Sequence, residues 1–176
     1  MNWRLIVVLL IGISLTTVAC DDDEGTVSND GLSFSGSNGF AIKGDGLSDV
    51  TVNTTNNSGE TTVASASGLT IHGVSVDLEG EYDGNDANIS ISYSSQTGAP
   101  GTGEKQVGIS SSGSLSISVN INSTLYRGNL SFANGSGSVN FTNVGDRLQG
   151  TFKATLKSGS KEVEVVGKFD VENQRD

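Results

Sequence analysis

The chain has 176 residues, with 10 Lys and Arg against 20 Asp and Glu, and its formal net charge is −10. This length fits one domain with a short tail. Nucleic-acid binding needs clustered Lys and Arg, so the acidic composition argues against that class of partner. The single cysteine excludes an intramolecular disulfide framework.

The composition favours an all-β fold. Gly (24) and Ser (26) are abundant, there is one Pro, and no long window is rich in helix-forming residues. Many short stretches alternate between β-branched or aromatic residues and Ser, Thr or Asn. A period of two residues is typical of strands that bury one face.

The N-terminus has the features of a bacterial secretion signal. Arg4 precedes the apolar run 5–13, which at about 1.5 Å per residue is too short to cross a hydrocarbon core of about 30 Å. Its length is typical of the apolar core of a signal peptide. Small residues follow and end in the tripeptide VAC, where Cys20 is the only cysteine of the chain.

The VAC tripeptide resembles the bacterial lipobox, in which cleavage occurs before a cysteine that carries a diacylglycerol group. Thr17 departs from the Leu that is usual three residues before that cysteine. The resemblance implies lipidation of Cys20 and removal of residues 1–19 as a lipoprotein signal peptide. The alternative is an ordinary cleaved signal peptide with an incidental free cysteine.

Four acidic residues follow the cysteine directly: Asp21, Asp22, Asp23 and Glu24. In Bacteroidota-type lipoproteins an acidic cluster at this place resembles a surface-export signal, whereas in the enteric pattern an Asp there resembles an inner-membrane retention signal. A third interpretation is a solvated spacer, because a block of like charge repels itself and stays extended. We expect residues 20–30 to be the lipidated tether of an outer-membrane protein exposed at the cell surface.

Turn residues and alternation together predict five antiparallel hairpins. With a two-residue loop, opposed residues lie on the same face, so a correct register pairs apolar residues with apolar residues. Gly or Asn begins each loop, and both residues tolerate positive φ. The predicted loops are Asn85-Asp86, Asn122-Ser123, Gly135-Ser136, Gly145-Asp146 and Gly159-Ser160.

These loops predict specific opposed residues. On the core face phenylalanine repeatedly meets glycine, which resembles aromatic rescue of strand glycines. On the outer face Lys157 meets Glu162, a complementary pair. The predicted core-face pairs include Phe141 with Gly150, Gly150 with Phe169, Phe152 with Gly167, Val119 with Tyr126, Leu78 with Tyr93, and Phe132 with Val139.

The remaining strand signals are weaker. A change of phase between Ile71 and Val74 predicts a bulge at His72-Gly73. Residues 94–105 do not alternate and contain the only proline, so we expect the longest loop there. About ten strands are predicted over residues 31–173, as a single antiparallel meander closed as a barrel or folded as a sandwich.

Candidate catalytic chemistry is sparse. The segment GAPGTGEK at 98–105 lacks the Lys that a phosphate-binding P-loop needs directly after its final Gly, and Glu104 takes that place. His72 is the only histidine, and no G-x-S-x-G elbow accompanies it. The sequence therefore predicts a protein that is not an enzyme and needs no cofactor.

An acidic segment supports one metal hypothesis. The alternation places Asp77, Glu79, Glu81 and Asp83 on one outer face, about 7 Å apart along the strand. The loop that follows supplies more closely spaced oxygen ligands of the kind that Ca²⁺ takes, without EF-hand spacing. Its Ca²⁺ candidates are Asp83, Asn85, Asp86 and Asn88. The alternative is a solvated strand that protects a sheet edge, followed by a hairpin turn.

The segment VNFTNVGDRLQGTFKATLKSGSKEVEVVGKFDV carries a family resemblance. Its matching residues are Gly145, Gly150, Thr151, Phe152, Gly167, Phe169 and Val171. They resemble the closing hairpins of small envelope lipoproteins of Bacteroidota and spirochaetes whose function is unknown. The resemblance implies a β fold and an envelope location, and no catalytic residues come with it.

The sequence thus predicts a lipid-anchored, non-enzymatic β domain of the outer membrane with a binding or structural role. One alternative is a lipocalin-like carrier of a small apolar ligand, for which Gly80, Gly128, Gly150 and Gly167 on the core face would leave space. The same glycines can instead accommodate neighbouring phenylalanines. The other alternative is a Ca²⁺-dependent adhesion module at residues 77–88.

Overall fold

The computed structural model describes residues 25–128 and 135–175, which contain β-strands and no helix. The predicted all-β class is therefore confirmed, with more strands than the expected ten. The strands are β1 (Val27–Asn29), β2 (Leu32–Phe34), β3 (Gly39–Gly44), β4 (Leu47–Asn53), β5 (Asn56–Ala66), β6 (Leu69–Tyr82), β7 (Asn85–Ser95), β8 (Gly103–Gln106), β9 (Gly108–Ser110), β10 (Gly113–Ile121), β11 (Thr124–Gly128), β12 (Ser136–Val144), β13 (Arg147–Ser158) and β14 (Lys161–Arg175).

Seven strands form a ring of hydrogen-bonded neighbours. The order β5-β6-β7-β10-β11-β13-β14 returns to β5, because β14 pairs with both β13 and β5. The pairing of β14 with β5 is parallel and joins residues 173–175 to residues 59–61. β3 and β4 extend the sheet from β14, and β12 and β8 extend it from β13. The predicted single antiparallel meander is therefore wrong in its strand order, because β7 pairs with β10, β11 pairs with β13 and β12 pairs with β8. The ring is closed by a parallel contact that pairing between consecutive strands does not predict.

The inside of the ring is one apolar core. The alternation of β6 illustrates its construction, because Val74, Val76 and Leu78 point inward and are at most 2% exposed. Phe141 and Phe169 meet there edge to face, with ring centroids 5.7 Å apart. This geometry is favourable for aromatic pairs.

The hairpin of β13 and β14 has the predicted register throughout. Gly159-Ser160 forms the loop, and Phe152 lies opposite Gly167. Lys157 lies opposite Glu162, and the Lys157 Nζ is 3.0 Å from a carboxylate oxygen of Glu162. Alternation and turn chemistry agree here, which is why this prediction is confirmed in detail.

The hairpin of β10 and β11 also turns where predicted. Val119 lies opposite Tyr126 across the loop Asn122-Ser123. The two loop residues have φ angles of 49° and 58°. Positive φ at both positions is what a type I′ loop requires, and it matches the twist of the strands.

The hairpin of β6 and β7 turns two residues earlier than predicted. The loop is Asp83-Gly84, with φ angles of 51° and 74°, instead of Asn85-Asp86. Leu78 consequently lies opposite Ile89 and not opposite Tyr93. A shift of two residues leaves each side chain on its predicted face. Alternation therefore cannot separate the two registers, and the Asp-Gly preference of type I′ turns decides.

The predicted hairpin at Gly135-Ser136 is wrong. Val139 of β12 pairs on one edge with Phe152 of β13 and on the other edge with Lys105 of β8. Because both edges are occupied, no third strand fits beside Val139. Phe132, its predicted partner, lies outside the described residues.

The hairpin at Gly145-Asp146 has the predicted register away from its loop. Phe141 lies opposite Gly150, but Val144 lies opposite Leu148, so the loop holds three residues. A bulge after Phe141 compensates for the additional residue. The two irregularities cancel, which is why the core-face pairing is still correct.

The predicted bulge at His72-Gly73 is wrong. β6 keeps a regular register with β5 and with β7 through both residues. Ile71 is 39% exposed and faces away from the core. The strand therefore continues without a bulge, and the apparent change of phase in the sequence arises because Ile71 is an apolar residue on the outer face. The predicted loop at 94–105 is also shorter, since only residues 96–102 connect β7 to β8.

A small second layer covers the outside of the ring. In the hairpin of β1 and β2, Leu32 and Phe34 pack against Ala41 of β3 and Val166 of β14. The half-buried Val27 packs at the margin of this cluster. Residues 27–29 of the predicted tether therefore form a strand, because an apolar side chain there has a surface to cover.

Candidate functional site

The residues predicted to be lipidated or to direct export cannot be placed in the fold. Cys20, Asp21, Asp22, Asp23 and Glu24 all lie outside the described residues. Lipidation and surface export therefore stay predictions.

The predicted acidic row lies on the outer face of β6 and is hydrogen-bonded from both neighbouring strands. The Ser90 Oγ of β7 donates to Asp77, and the Asn56 Nδ2 of β5 donates to Glu79. Glu81, the third member, is exposed. The carboxylates of Asp77 and Glu79 are thus engaged by hydroxyl and amide groups of the same sheet.

The four Ca²⁺ candidates do not converge on one point. Asp83 lies in the loop, and its carbonyl oxygen accepts a hydrogen bond of 3.1 Å from the Asn85 Nδ2. Alternation places Asp86 and Asn88 on the outer face and Asn85 on the opposite face. Within residues 25–128 and 135–175, no three side chains of Asp, Glu, His or Cys form a group that could hold a metal ion.

Charge is segregated between two sides of the fold. Residues 44–104 contain nine Asp and Glu and no Lys or Arg. The ion pairs of the described residues lie on β3, β13, β14 and the turns beside them: Lys43–Glu164, Arg147–Asp170, Lys157–Glu162, Lys161–Asp45 and Arg175–Asp146. The outer face of β5, β6 and β7 therefore carries negative charge that no cation on these strands neutralises.

His72 lies near the end of the ring, and among the described residues no catalytic arrangement surrounds it. It is opposite Val63 on one side and Ser95 on the other. The Ser95 Oγ is 3.0 Å from the Thr97 Oγ1 and shares a hydrogen bond with it. The buried Nδ1 of His72 has no hydrogen-bond partner among the described residues. No pair of nucleophile and base is formed between this serine and the histidine.

A polar cluster that the sequence did not indicate joins β11, β14 and the turn between β3 and β4. The Tyr126 hydroxyl donates to the Asp45 carboxylate, and the Lys161 Nζ lies 3.0 Å from the same oxygen. Burial of Tyr126, together with its bond to Asp45, raises the pKa of this tyrosine to about 12. The hydrogen bonds from Tyr126 and Lys161 lower the pKa of Asp45. The cluster fastens the turn between β3 and β4 to β11, which is a structural role.

Two of the core-face glycines, Gly150 and Gly167, are covered by phenylalanine side chains. A Cβ atom added to Gly167 would lie 2.3 Å from the Phe152 Cζ, and one added to Gly150 would lie 2.6 Å from the Phe169 Cζ. Both distances are far below van der Waals contact. At these two positions the space beside the glycine is filled by protein.

The segment that superficially resembles a P-loop ends in the sheet, since its residues 103–105 belong to β8 and its residues 98–102 to the preceding loop. Glu104 and Lys105 belong to β8, where Glu104 lies opposite Asn140 of β12. The Lys105 Nζ lies 5.8 Å from the ring centre of Tyr93, within the range of a cation–π interaction. These residues stabilise a strand and do not surround a phosphate.

Comparison with known proteins gives no relative. No protein-family model, curated protein or solved structure matches the chain. A search of the described residues for a helix long and apolar enough to cross a membrane finds none. Function is therefore inferred from the chain's own residues.

Proposed function

We propose that this chain is a non-enzymatic β domain, anchored to the outer membrane by a lipid on Cys20, with a binding or structural role at the cell surface. The proposal rests on the small number of residues between the lipidation motif and the first strand of the β domain. Strand β1 begins at Val27, so the seven intervening residue steps span at most about 25 Å when extended. A lipid on Cys20 would thus hold the body close to the membrane surface.

The described residues support a non-enzymatic role. His72 lacks a paired nucleophile, and no metal-binding group is found within residues 25–128 and 135–175. Perturbed pKa values are typical of catalytic groups. Asp45 and Tyr126 have such shifted pKa values, but they are hydrogen-bonded to one another and fasten a turn.

The two alternative functions have less support. A carrier of an apolar ligand needs internal space, but Phe152 and Phe169 fill the space beside two of the core-face glycines. A Ca²⁺-dependent adhesion module needs converging ligands, but Asn85 lies on the opposite face from Asp86 and Asn88.

Fatty-acid labelling tests the anchor. Cells of the native host that express the full chain are fed a radiolabelled fatty acid, and Cys20→Ser is the comparison. We expect label on the parent chain, none on the variant, and an N-terminal peptide that begins at a diacylglyceryl-modified Cys20. An unlabelled parent that leaves the envelope without detergent would refute the anchor.

Protease treatment of intact cells tests the export signal. Asp21, Asp22, Asp23 and Glu24 are changed to Asn and Gln, and the matched control makes the same number of such changes at Asp77, Glu79, Glu81 and Asp86. Both variants have the same net charge. We expect the first variant to be lipidated but protected from external protease, and the control to be digested like the parent. Equal digestion of the two variants would refute the export role of residues 21–24.

A further inference from the structure

The hairpin of β5 and β6 extends past the end of the ring. β14 accompanies β5 only as far as Thr61, which lies opposite Arg175. On the other side, β7 accompanies β6 only from His72 onward, opposite Ser95. Beyond these points β5 and β6 pair only with one another, up to Ala66 opposite Leu69. We call residues 62–71 the ribbon, and at about 3.3 Å per residue it projects by roughly 12 Å.

The edge of the ribbon on β5 has no strand partner among the described residues. Its residues 62–66 hydrogen-bond to β6 on one side only. Within residues 25–128 and 135–175 no other strand bonds their outward N–H and C=O groups, and an added strand would bond them. An uncovered edge of this kind is a template for strand addition.

Other sheet edges of the same fold carry protective features that the ribbon lacks. In β4, Asp49 has a φ of 42°, so a charge and an irregular backbone interrupt that edge. The edge strand β8 is four residues long and carries Glu104 and Lys105. Charges, distortions and short length all discourage pairing between edges. By contrast, residues 61–76 contain no charge and no proline, and the register through them is regular.

The ribbon also exposes apolar side chains. Val63 is 67% exposed, Leu69 is 44% exposed and Ile71 is 39% exposed. In a chain of net charge −10, this uncharged projection is a place where two copies can meet without bringing like charges together.

The unpaired backbone groups favour a strand over a lipid surface as the occupant. Inside hydrocarbon, open sheet edges are costly because nothing there bonds their N–H and C=O groups. An added strand bonds them directly. The small residues of β5 also suit self-pairing. With Ala64 on a two-fold axis, Val63 of each copy faces Ser65 of the other, and Thr62 faces Ala66, so no bulky or charged residue meets its own copy.

We propose that the ribbon is an interface with a second copy of this chain, in which residues 62–66 of the two β5 strands pair antiparallel across a two-fold axis. The contact joins two hairpins into a four-stranded sheet with the bodies at opposite ends. It is isologous, as two-fold interfaces are. The interface goes beyond the proposed anchor and does not depend on it.

Cysteine crosslinking in the intact envelope tests the interface. Single cysteines replace each of residues 62–66 in the full chain, and Leu125→Cys, at a side chain 41% exposed on β11, is the matched control. Opposed residues of an antiparallel pair have Cα atoms about 4.5–5.5 Å apart, which suits a disulfide. After mild oxidation we expect one maximum within 62–66, with at least tenfold more dimer than the Leu125→Cys control.

The parent chain separates failure of the interface from failure of the anchor. A lipidated Cys20 has no free thiol, so oxidation of the parent should give no disulfide dimer. A parent dimer would show that Cys20 is free and would count against the anchor alone. Equal, low crosslinking at residues 62–66 and at Leu125→Cys would overturn the interface, whatever the state of Cys20.

A charge placed on the edge provides a second measurement without cysteine. We expect Ala64→Lys to convert the detergent-solubilised full chain from dimer to monomer in sedimentation velocity, with unchanged circular dichroism. Leu125→Lys adds the same charge elsewhere and should leave the dimer intact. A parent chain that is monomeric at about 100 µM would overturn the proposal. Flotation with phosphatidylcholine vesicles tests whether the ribbon binds lipid instead. If the Cys20→Ser variant floated with the vesicles as a monomer, and the additional substitution Val63→Ser abolished that binding, the ribbon would be a lipid-binding surface and the proposal would be overturned.

Discussion

Replacing Gly167 by alanine should destabilise this protein far more than the size of one methyl group suggests. Gly167 lies on the core face of β14, between Phe152 of β13 and Phe40 of β3. An added Cβ would lie 2.3 Å from the Phe152 Cζ and 2.3 Å from the carbonyl oxygen of Gly39. The phenyl ring can turn away, but the carbonyl oxygen belongs to the backbone of a paired strand. To admit the methyl group, β3 must move away from β14.

The expected magnitude follows from these two overlaps. Overpacking of a well-filled core costs about 1–3 kcal/mol. Gly167→Ala must displace a paired strand and also move the phenyl ring of Phe152. We therefore expect it to lower the free energy of unfolding by about 3 kcal/mol, the upper end of this range. For a domain of roughly 150 residues, this lowers the melting temperature by about 6–12 °C.

Gly128 provides the matched comparison on the same face of the sheet. A Cβ added there would lie 2.7 Å from the Leu156 Cδ2, 3.4 Å from the Val107 Cγ1 and 3.7 Å from the nearest backbone atom, the carbonyl oxygen of Ile117. Only the end of a flexible side chain must move. We expect Gly128→Ala to cost about 1 kcal/mol or less, because alanine also reduces the conformational freedom of the unfolded chain.

Urea unfolding of the detergent-solubilised full chain, followed by circular dichroism, measures both effects. The double variant Gly167→Ala, Phe152→Leu tests the cause, since a smaller side chain removes the overlap with the ring but not the one with the backbone. We expect it to regain less than half of the lost stability. Full rescue by Phe152→Leu, or equal costs for Gly167→Ala and Gly128→Ala, would refute the assignment of the cost to strand displacement.

Three further predictions concern protons, metal and the closure of the ring. Because the folded-state pKa of Tyr126 is about 12 against an ordinary value of 10, its stabilisation is complete below pH 10 and is lost as the pH rises through 12. We expect the melting temperature of Tyr126→Phe to fall less over this pH range than that of the parent chain. An equal fall would show that Tyr126 is not the group responsible. With Ca²⁺ or with EDTA the melting temperature should be the same; a rise with Ca²⁺ that Asp86→Asn removes would revive the metal hypothesis. Asn173 is 9% exposed and bonded to Thr61 across the parallel contact, so we expect Asn173→Ala to lower the free energy of unfolding in urea by about 2 kcal/mol. A loss below about 0.5 kcal/mol would show that the bond does not hold the ring closed.

The sequence predicts two of the five hairpins in full, at Asn122-Ser123 and Gly159-Ser160, because two kinds of information agree there. At Gly159-Ser160 the loop chemistry and the alternation give the same register. Between β6 and β7 alternation also selects the correct faces. It cannot select between the loops Asp83-Gly84 and Asn85-Asp86, which differ by two residues and keep the same faces. The Asp-Gly pair, with positive φ at both residues, is the signal that decides.

Another readable signal marks the strands that are buried on both faces. β3 contains Phe40, Ala41 and Ile42 in succession, and β14 contains Val165 followed by Val166. Consecutive apolar residues interrupt the alternation where the hairpin of β1 and β2 covers the outer face. Such runs are typical of strands with two buried faces. The amino-acid pattern of β3 and β14 is therefore sufficient to indicate a second layer over these two strands.

The contacts that the sequence could not predict are the distant ones. Tyr126 and Asp45 are 81 residues apart, and neither residue belongs to a pattern that names the other. The pairing of β8 with β12 joins Lys105 to Val139, with β9, β10 and β11 between them in the chain. Local turn chemistry and alternation carry no information about such pairs, because each strand edge is compatible with many partners.

The proposed anchor and the charge pattern together predict an orientation for the body. The chain enters the fold through β1, which with β2 covers β3 and β14. In the ring, β6 lies two strands from β14 and β7 lies three strands away, so the acidic outer face lies on strands other than those that β1 and β2 cover. If a lipid on Cys20 holds the entry point within about 25 Å of the membrane, we expect the body to orient so that the carboxylates of Asp77, Glu79 and Glu81 face away from the membrane. This arrangement keeps the negative face from an anionic membrane surface, which would repel it.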